Sequence, residues 1–378
     1  MAGHPKRRGR KYVWIPKCSV YGLRDAPLLW NRVLHKSLKR FGLEAHVTEP
    51  CMYRAVDKKS TIIVLVYVDD LLYASTDTSD LDSFEVYMRK TFKIKVTQAI
   101  EKYVGYEVSN TSSSTKLHTS AYITNLAERF ELTQAKKRTT PVAKTILIND
   151  PNSKLLENKT KFLSLLGGLS YVANLCRPDV CYIVNRLARF STQPTMNHYK
   201  IAKGVLTYLL TTKGKGLHYK QAKHFELKAY TDSDWASEVE DRKSVTGYIV
   251  YLNDGILTYK TKKQPVVATS TMEAEFISIC SCLETMKFLM NLLKFMNVNV
   301  KKPAVIYSDN QSAIQAFKSR IPTKKSKHID IRFHKIKNSR KRKEVRINYV
   351  RSEMNPSDLL TKVVSKQQFE RLIDNLVQ

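Results

Sequence analysis

The sequence predicts an α+β chain that becomes an α/β layered domain in its second half, and three observations predict it. An apolar run at residues 61–66 climbs into Tyr67-Val68-Asp69-Asp70 and leaves through Leu71-Leu72-Tyr73-Ala74, which reads as a β-hairpin with two adjacent carboxylates at its tight turn. Between residues 122 and 212 apolar side chains recur mostly at helical spacing. From near residue 225, strands come first and then alternate with helices, the rhythm of a layered α/β sheet.

Each element follows from local signals. Leu28, Leu29, Trp30, Val33, Leu34, Leu38 and Phe41 share a helical period, and Gly42 stops that helix. Residues 79–92 read as a second helix covering the hairpin, with Leu81, Phe84, Val86, Tyr87 and Met88 apolar. The polar run 110–115 reads as a turn or linker that ends the first unit. Residues 122–132, 161–190 and 199–212 read as helices, the second broken by Arg177-Pro178-Asp179 and the third closed by Thr212-Lys213-Gly214-Lys215-Gly216. The later strands are expected at 227–232, 247–252, 256–261, 304–309 and 345–350, with Asn253-Asp254-Gly255 turning one hairpin. Helices are expected at 271–296, 311–318 and 356–362. No internal repeat is visible.

Composition narrows the partners. Lys and Arg number 64 against 34 Asp and Glu, a formal net charge of +30, which favours a polyanion. No acid precedes Asp25, and a second basic belt runs from Lys324 to Arg346. A hydrophobic content of 43% supports packed cores. Six cysteines show neither a CxxC pair nor His/Cys zinc spacing, so they read as reduced, mostly buried thiols of an intracellular protein, cytoplasmic or nuclear. No segment reads as apolar and long enough to span a bilayer, and no hydrophobic signal core opens the chain, so no membrane partner is expected. Trp14, Trp30 and Trp235 read as core residues.

Several acids stand where chemistry would want them. Asp232 ends one predicted strand, Asp309 ends another, Asp358 opens the last predicted helix and Glu275 lies near the start of the long helix. Side chains at such positions project into one cleft, and carboxylates gathered there can hold two Mg2+ ions for phosphodiester hydrolysis. Asp69 and Asp70 repel each other at their turn, and a divalent cation is the usual remedy. Spacing alone selects weakly, because 34 acids offer several such sets.

The surrounding words select strongly. Thr231-Asp232-Ser233-Asp234-Trp235-Ala236, Asp241-Arg242-Lys243-Ser244-Val245-Thr246-Gly247-Tyr248, Lys263-Gln264-Pro265, Ser270-Thr271-Met272-Glu273-Ala274-Glu275-Phe276, Ser308-Asp309-Asn310-Gln311-Ser312-Ala313 and Lys327-His328-Ile329-Asp330-Ile331-Arg332 occur in this order. Together they resemble the ribonuclease H domain of Ty1/copia-type retrotransposon Pol polyproteins. Upstream, Tyr21-Gly22-Leu23-Arg24-Asp25-Ala26-Pro27, the Tyr67-Val68-Asp69-Asp70 turn, Ala173-Asn174-Leu175-Cys176-Arg177-Pro178-Asp179 and Asn185-Arg186-Leu187-Ala188-Arg189-Phe190 resemble that family's reverse transcriptase and connecting region, so the likeness covers roughly residues 12–365.

The resemblance implies an incomplete reverse-transcriptase palm at 1–110, a mostly helical thumb or connection at 111–225, a ribonuclease H-like mixed-sheet domain at 226–365 and a C-terminal tail at 366–378. It implies that Asp232, Glu275, Asp309 and Asp358 hold Mg2+ or Mn2+, with Asp69 and Asp70 a remnant of the polymerase site. Glu273 and Glu275 point about 200° apart on a helix, so only one can face the metals, and the family pattern favours Glu275. The expected substrate is an RNA–DNA hybrid, gripped at its phosphates by Lys324, Lys325, Lys327, His328, Arg332, Arg340, Lys341 and Arg342. Asp234 and Asp330 read as ion-pair partners of Arg242, Arg332 or Lys327, and His328 and His334 as phosphate contacts. No histidine lies between His334 and Asp358, so none is assigned to catalysis.

Three departures concern the polymerase half. The strand that supplies the family's first metal-binding aspartate is not among the 66 residues before Tyr67. The family's Lys-Gln is Arg24-Asp25 here, and its Phe-x-Met-x-Asp-Leu-Gly-Glu stretch appears as Phe92-Lys93-Ile94-Lys95-Val96-Thr97-Gln98-Ala99, without either acid. The alternative to an enzyme is a catalytically inactive relic that binds nucleic acid through its basic surface. A complete Pol chain is a further candidate partner, and the sequence does not specify an oligomeric state. Losing one of a cooperating set of catalytic groups removes most of the rate. Primer-extension assays on the purified 378-residue chain are therefore expected to give no template-dependent product, and synthesis would overturn this expectation.

Overall fold

The computed structural model describes residues 5–8, 11–14, 19–20, 22–55, 60–236, 241–318, 339 and 341–378. The chain divides into two compact units, Met1–Gln98 with Leu292–Val298, and Ala99–Asn291 with Asn299–Gln378.

In the first unit, β1 (Pro5–Arg8) and β2 (Lys11–Trp14) form an antiparallel ribbon. Helix α1 (Ala26–Phe41) has Pro27 in its first turn, where the missing N–H costs nothing. It ends at Gly42, whose φ of 103° few other residues tolerate. Strands β3 (Leu43–Ala45), β4 (Met52–Ala55), β5 (Ile62–Tyr67) and β6 (Asp70–Ser75) make an antiparallel sheet in that order, and α2 (Thr78–Thr91) follows. Alternation along β5 sends Ile62, Val64 and Val66 into a core with Leu34, Leu38, Phe84 and Met88. Only part of the predicted α1 face is buried, since Leu28, Leu29 and Val33 are 52%, 43% and 55% exposed. Strands β3 and β4 escape the sequence because three or four residues carry too little alternation to register.

The second unit opens with β7 (Lys102–Tyr103), β8 (Tyr106–Asn110) and β9 (Ser114–His118). The polar run at 110–115, expected to end a unit, instead turns the chain between two strands of one sheet. Helices α3 (Ser120–Arg129), α4 (Lys159–Leu175), α5 (Cys181–Ala188) and α6 (Met196–Thr211) come next, with a 3-10 turn at Pro178–Val180 where the sequence placed a break. Strand β10 (Leu217–Lys220) then returns to pair with β9.

The larger sheet is built from β11 (Phe225–Asp234), β12 (Val245–Leu252), β13 (Gly255–Lys263), β14 (Val300–Ser308) and β15 (Val345–Tyr349), in the order β13-β12-β11-β14-β15. β11, β12 and β13 are antiparallel neighbours, while β14 and β15 run parallel to β11. Parallel pairing needs crossovers, and α7 (Thr271–Phe295) and α8 (Gln311–Lys318) lie in those connections. The mixed sheet and helices confirm the predicted α+β class.

One apolar core joins the helices to this sheet: Leu165 and Leu169 of α4, Val205 and Tyr208 of α6, Ile249 of β12, and Leu359 and Leu360 all belong to it. Residues 366–378, expected as a tail, form α9 (Lys366–Leu372) and a 3-10 turn that bury Phe369, Leu372 and Ile373 in the same core. The backbone of Gln378 exchanges hydrogen bonds with Gly216 at 3.0 and 3.1 Å.

Two other expectations need correction. Helix α7 is, by length and composition, long and apolar enough to cross a membrane, which the sequence reading missed; half of its most apolar window is buried inside the protein. Trp235 is 44% exposed rather than core, with its indole N–H donating to Ala268 O at 3.0 Å. Cys176, Cys181, Cys280 and Cys282 are buried thiols, as expected.

Arg177 is fully buried at the break before α5. Its guanidinium donates to both Asp179 oxygens at 3.0 and 2.7 Å and to Thr212 O and Oγ1 at 3.0 and 2.7 Å, closing the C-terminal end of α6. Tyr208 donates to the same Asp179 at 2.7 Å. Removing one partner strands the other charge in the core. Asp179→Ala is expected to destabilise the second unit by about 3–5 kcal/mol in urea unfolding, and Arg177→Met/Asp179→Leu by clearly less, because it leaves no orphan charge.

Candidate metal centre

Three aspartates converge on one end of the mixed sheet. Carboxylate oxygens of Asp232, Asp309 and Asp358 all lie within 4.8 Å of one another. Asp232 stands two residues before the end of β11, Asp309 directly follows β14, and Asp358 sits in a 3-10 turn, Pro356–Leu360, rather than the predicted helix. Because β11 and β14 are adjacent and parallel, their C-terminal ends meet at the same edge of the sheet.

Gly247 brings the third acid in. It pairs with Asp232 across β11 and β12, and a Cβ there would lie 2.6 Å from Thr361 Cγ2 and 2.9 Å from Leu360 Cβ. Only a glycine lets the Asp358 turn lie this close to the sheet. Leu359 and Leu360 then anchor that turn in the core.

Glu275, from the second turn of α7, lies outside the three-aspartate group but near enough to feel the charges of Asp232 and Asp309. Its Oε1 accepts from Ser233 N at 2.9 Å, while its buried Oε2 has no hydrogen-bond partner. Glu273 engages elsewhere, accepting from Thr269 N at 2.8 Å, so the two glutamates diverge as helical geometry requires.

Each aspartate is steadied by a neutral donor. Thr361 Oγ1 donates to Asp232, Ser352 Oγ to Asp309 at 2.6 Å and Gln368 Nε2 to Asp358 at 2.9 Å. Lys362 adds a charge, with Nζ 3.5 Å from Asp232 Oδ2 and 3.1 Å from Asp358 Oδ1. Burial, then the charge of Asp232, pushes the Asp358 carboxyl up to about 7 against the opposing pull of Lys362. Burial also raises Glu275 well above its usual value, with Asp232 and Asp309 adding to it, and raises Asp309. For Lys362, burial pulls downward, but Asp232 and Asp358 outweigh it and hold the ammonium above the ordinary lysine value.

An all-oxygen donor set with crowded, repelling carboxylates and an unsatisfied buried oxygen suits Mg2+ or Mn2+. The expected polymerase remnant differs. Asp69 lies in the β5–β6 turn and Asp70 opens β6, both exposed, and neither belongs to a group of three potential metal ligands among the described residues. Trp30 does unexpected work here, its indole N–H donating to Val68 O at 2.7 Å in that turn. Of the predicted phosphate-gripping residues, Lys324, Lys325, Lys327, His328, Arg332 and Arg340 lie outside the described residues, as do Asp330 and His334, while Lys341 and Arg342 are exposed. Asp234 closes β11, outside the three-aspartate group.

Sequence reasoning missed Lys362, Gln368, Ser352 and Thr361. One signal was available, because Lys362 stands four residues after Asp358. Gln264 was visible within a motif, but its role was not. It is 2% exposed, and its Nε2 donates to Ser233 Oγ, Thr246 Oγ1 and Ala274 O at 3.3, 3.0 and 3.0 Å, tying β11, β12 and α7 together beside the acids. Gln264→Leu strands these acceptors, and thermal or urea unfolding is expected to show a loss of about 1–3 kcal/mol.

Comparison with known proteins finds relatives along nearly the whole chain. The family described as reverse transcriptase (RNA-dependent DNA polymerase) matches residues 4–144. The retrovirus-related Pol polyprotein from transposon RE1 of Arabidopsis thaliana is 31% identical over 365 residues, covering 97% of this chain and 25% of that protein. A putative transposon Ty5-1 protein of Saccharomyces cerevisiae is 31% identical over 278 residues, covering 73% of this chain and 90% of that one. This chain thus spans about a quarter of the RE1 polyprotein. Among solved structures, a foamy viral protease-reverse transcriptase in complex with double-stranded DNA aligns over 86% of this chain and 49% of that one, at 14% identity and a TM-score of 0.49. The chain belongs to the Ty1/copia-type retrotransposon Pol family, with a reverse transcriptase match over residues 4–144.

Proposed function

We propose that this Pol segment cleaves the RNA strand of an RNA–DNA hybrid at the acid cluster of its mixed sheet. The observation that carries the proposal is the convergence of Asp232, Asp309 and Asp358 within 4.8 Å, with Glu275 beside them presenting an unpartnered oxygen. These four residues would hold Mg2+ or Mn2+, and the bound ions supply Lewis acidity that activates water and stabilises the departing 3′ oxygen.

The protein's own part is to fix the ligands. Ser352, Gln368 and Thr361 each tie up one oxygen of an aspartate and hold its carboxylate plane, and Ser233 N does the same for Glu275. Phosphates of the hybrid would meet the basic stretch that includes Lys341 and Arg342, and binding would weaken steeply with salt. Asp69 and Asp70 take no part in this cleavage.

The test is cleavage of a labelled RNA–DNA hybrid with Mg2+ or Mn2+, beside a binding assay on the same hybrid. Asp309→Asn is expected to lower cleavage on the order of a thousandfold or more while binding persists. Wild-type protein that binds hybrid but never cleaves it would favour the relic reading, and unchanged cleavage by the variant would place the chemistry elsewhere.

A further inference from the structure

Four side chains donate to the three aspartates, and they are not alike. Thr361, Ser352 and Gln368 are neutral, so each can keep its hydrogen bond when a cation shares the carboxylate. Lys362 is charged. Its ammonium stands 3.5 Å from Asp232 Oδ2 and 3.1 Å from Asp358 Oδ1, bridging two of the three acids. A divalent cation bound by Asp232 and Asp358 would need the same negative charge and would repel the ammonium at close range. Both cannot hold those oxygens at full strength.

Lys362 is also built to leave. It lies one helical turn's spacing after Asp358, and its side chain remains 38% exposed, so water is within reach of the head group. The flexible four-carbon stem can carry that head away without moving the backbone that positions Asp358. Thr361 lacks this freedom, since its short side chain packs against Gly247.

We propose that Lys362 is the resident counter-ion of the acid cluster: its ammonium offsets the repulsion between Asp232 and Asp358 before a divalent cation binds, is displaced as the cation enters, and so sets how much cation the site requires. The proposal rests on the reading that these acids hold Mg2+ or Mn2+. It makes Lys362 a positioning residue that tunes cation affinity.

Calorimetric titration of the full chain with MnCl2 and MgCl2 tests it, using Lys362→Met, with Lys362→Arg as the charge-conserving control. Lys362→Met is expected to bind Mn2+ about tenfold more tightly, the low end of what residues just outside a metal's ligands contribute, and Lys362→Arg to stay near wild type. Without cation, Lys362→Met is expected to melt below wild type, with the gap closing at saturating Mn2+. Mn2+ binding to Lys362→Met that is no tighter than wild type overturns the counter-ion role and leaves the cation site standing. Failure of both wild type and Lys362→Met to bind cation overturns the underlying reading instead. Should Lys362→Met not fold, amine acylation of the wild-type protein read by mass spectrometry decides. Labelling of Lys362 is expected to rise several-fold with Mn2+, and unchanged labelling in protein that binds Mn2+ overturns the proposal.

Discussion

Carboxylates repel one another, and the second unit is arranged around holding three of them together. Oxygens of Asp232, Asp309 and Asp358 within 4.8 Å form an arrangement that would relax apart if each acid sat on a free loop. Instead, two are fixed by adjacent parallel strands, and the third by a turn pressed against a glycine. Hydrogen bonds from Thr361, Ser352 and Gln368 resist rotation of the carboxylates, and Lys362 offsets part of their charge. The residual strain shows electrostatically: Asp358 is pushed to about 7, and Glu275 holds its proton well above the usual range.

That arrangement draws on the helices as much as on the sheet. Leu359 and Leu360, directly after Asp358, bury in the core that includes α4 and α6. Next to them, the buried Arg177–Asp179 pair links the start of α5 to the end of α6 through hydrogen bonds to Thr212. Burying this pair is costly in desolvation, so its value lies in fixing one arrangement of the helices rather than in raw stability. The C-terminal residues add a direct contact, because Gln368 of α9 reaches Asp358. Disturbance of the helical region would therefore be felt at the acids.

The β5–β6 turn shows a different balance. Val68 adopts a φ of 57°, a conformation costly for a β-branched residue, and the indole of Trp30 holds its carbonyl. A strained turn that presents two exposed carboxylates is thus maintained by packing from α1. Nothing among the described residues joins Asp69 and Asp70 as a third acid, so the geometry that concentrates charge in the mixed sheet is absent there.

Much of this was legible in the sequence. Helices α1, α2 and α6 follow from apolar spacing, and the β5–β6 and β12–β13 hairpins from alternation and turn residues, because these signals act within a few residues of chain. The ordered motifs singled out Asp232, Glu275, Asp309 and Asp358 without any coordinates. The short strands β3, β4 and β7 carry too few residues for alternation to register, and β10 is a strand only through its distant partner β9. The polar run 110–115 looked like a boundary and proved to be a hairpin turn, because a polar turn and a linker have the same composition. The donors Ser352 and Gln368 have no mark in the sequence beyond their polarity, and Lys362 only its place four residues after Asp358; they acquire a role only where the fold sets them against an acid. By itself, the sequence determined the lineage and the longer elements and singled out the acids as candidates, since each is written in local pattern and motif. Only the tertiary structure decided that Gly247 admits the Asp358 turn, that the last thirteen residues belong to the core, and that a lysine stands between two of the acids, because close approach depends on segments more than a hundred residues apart.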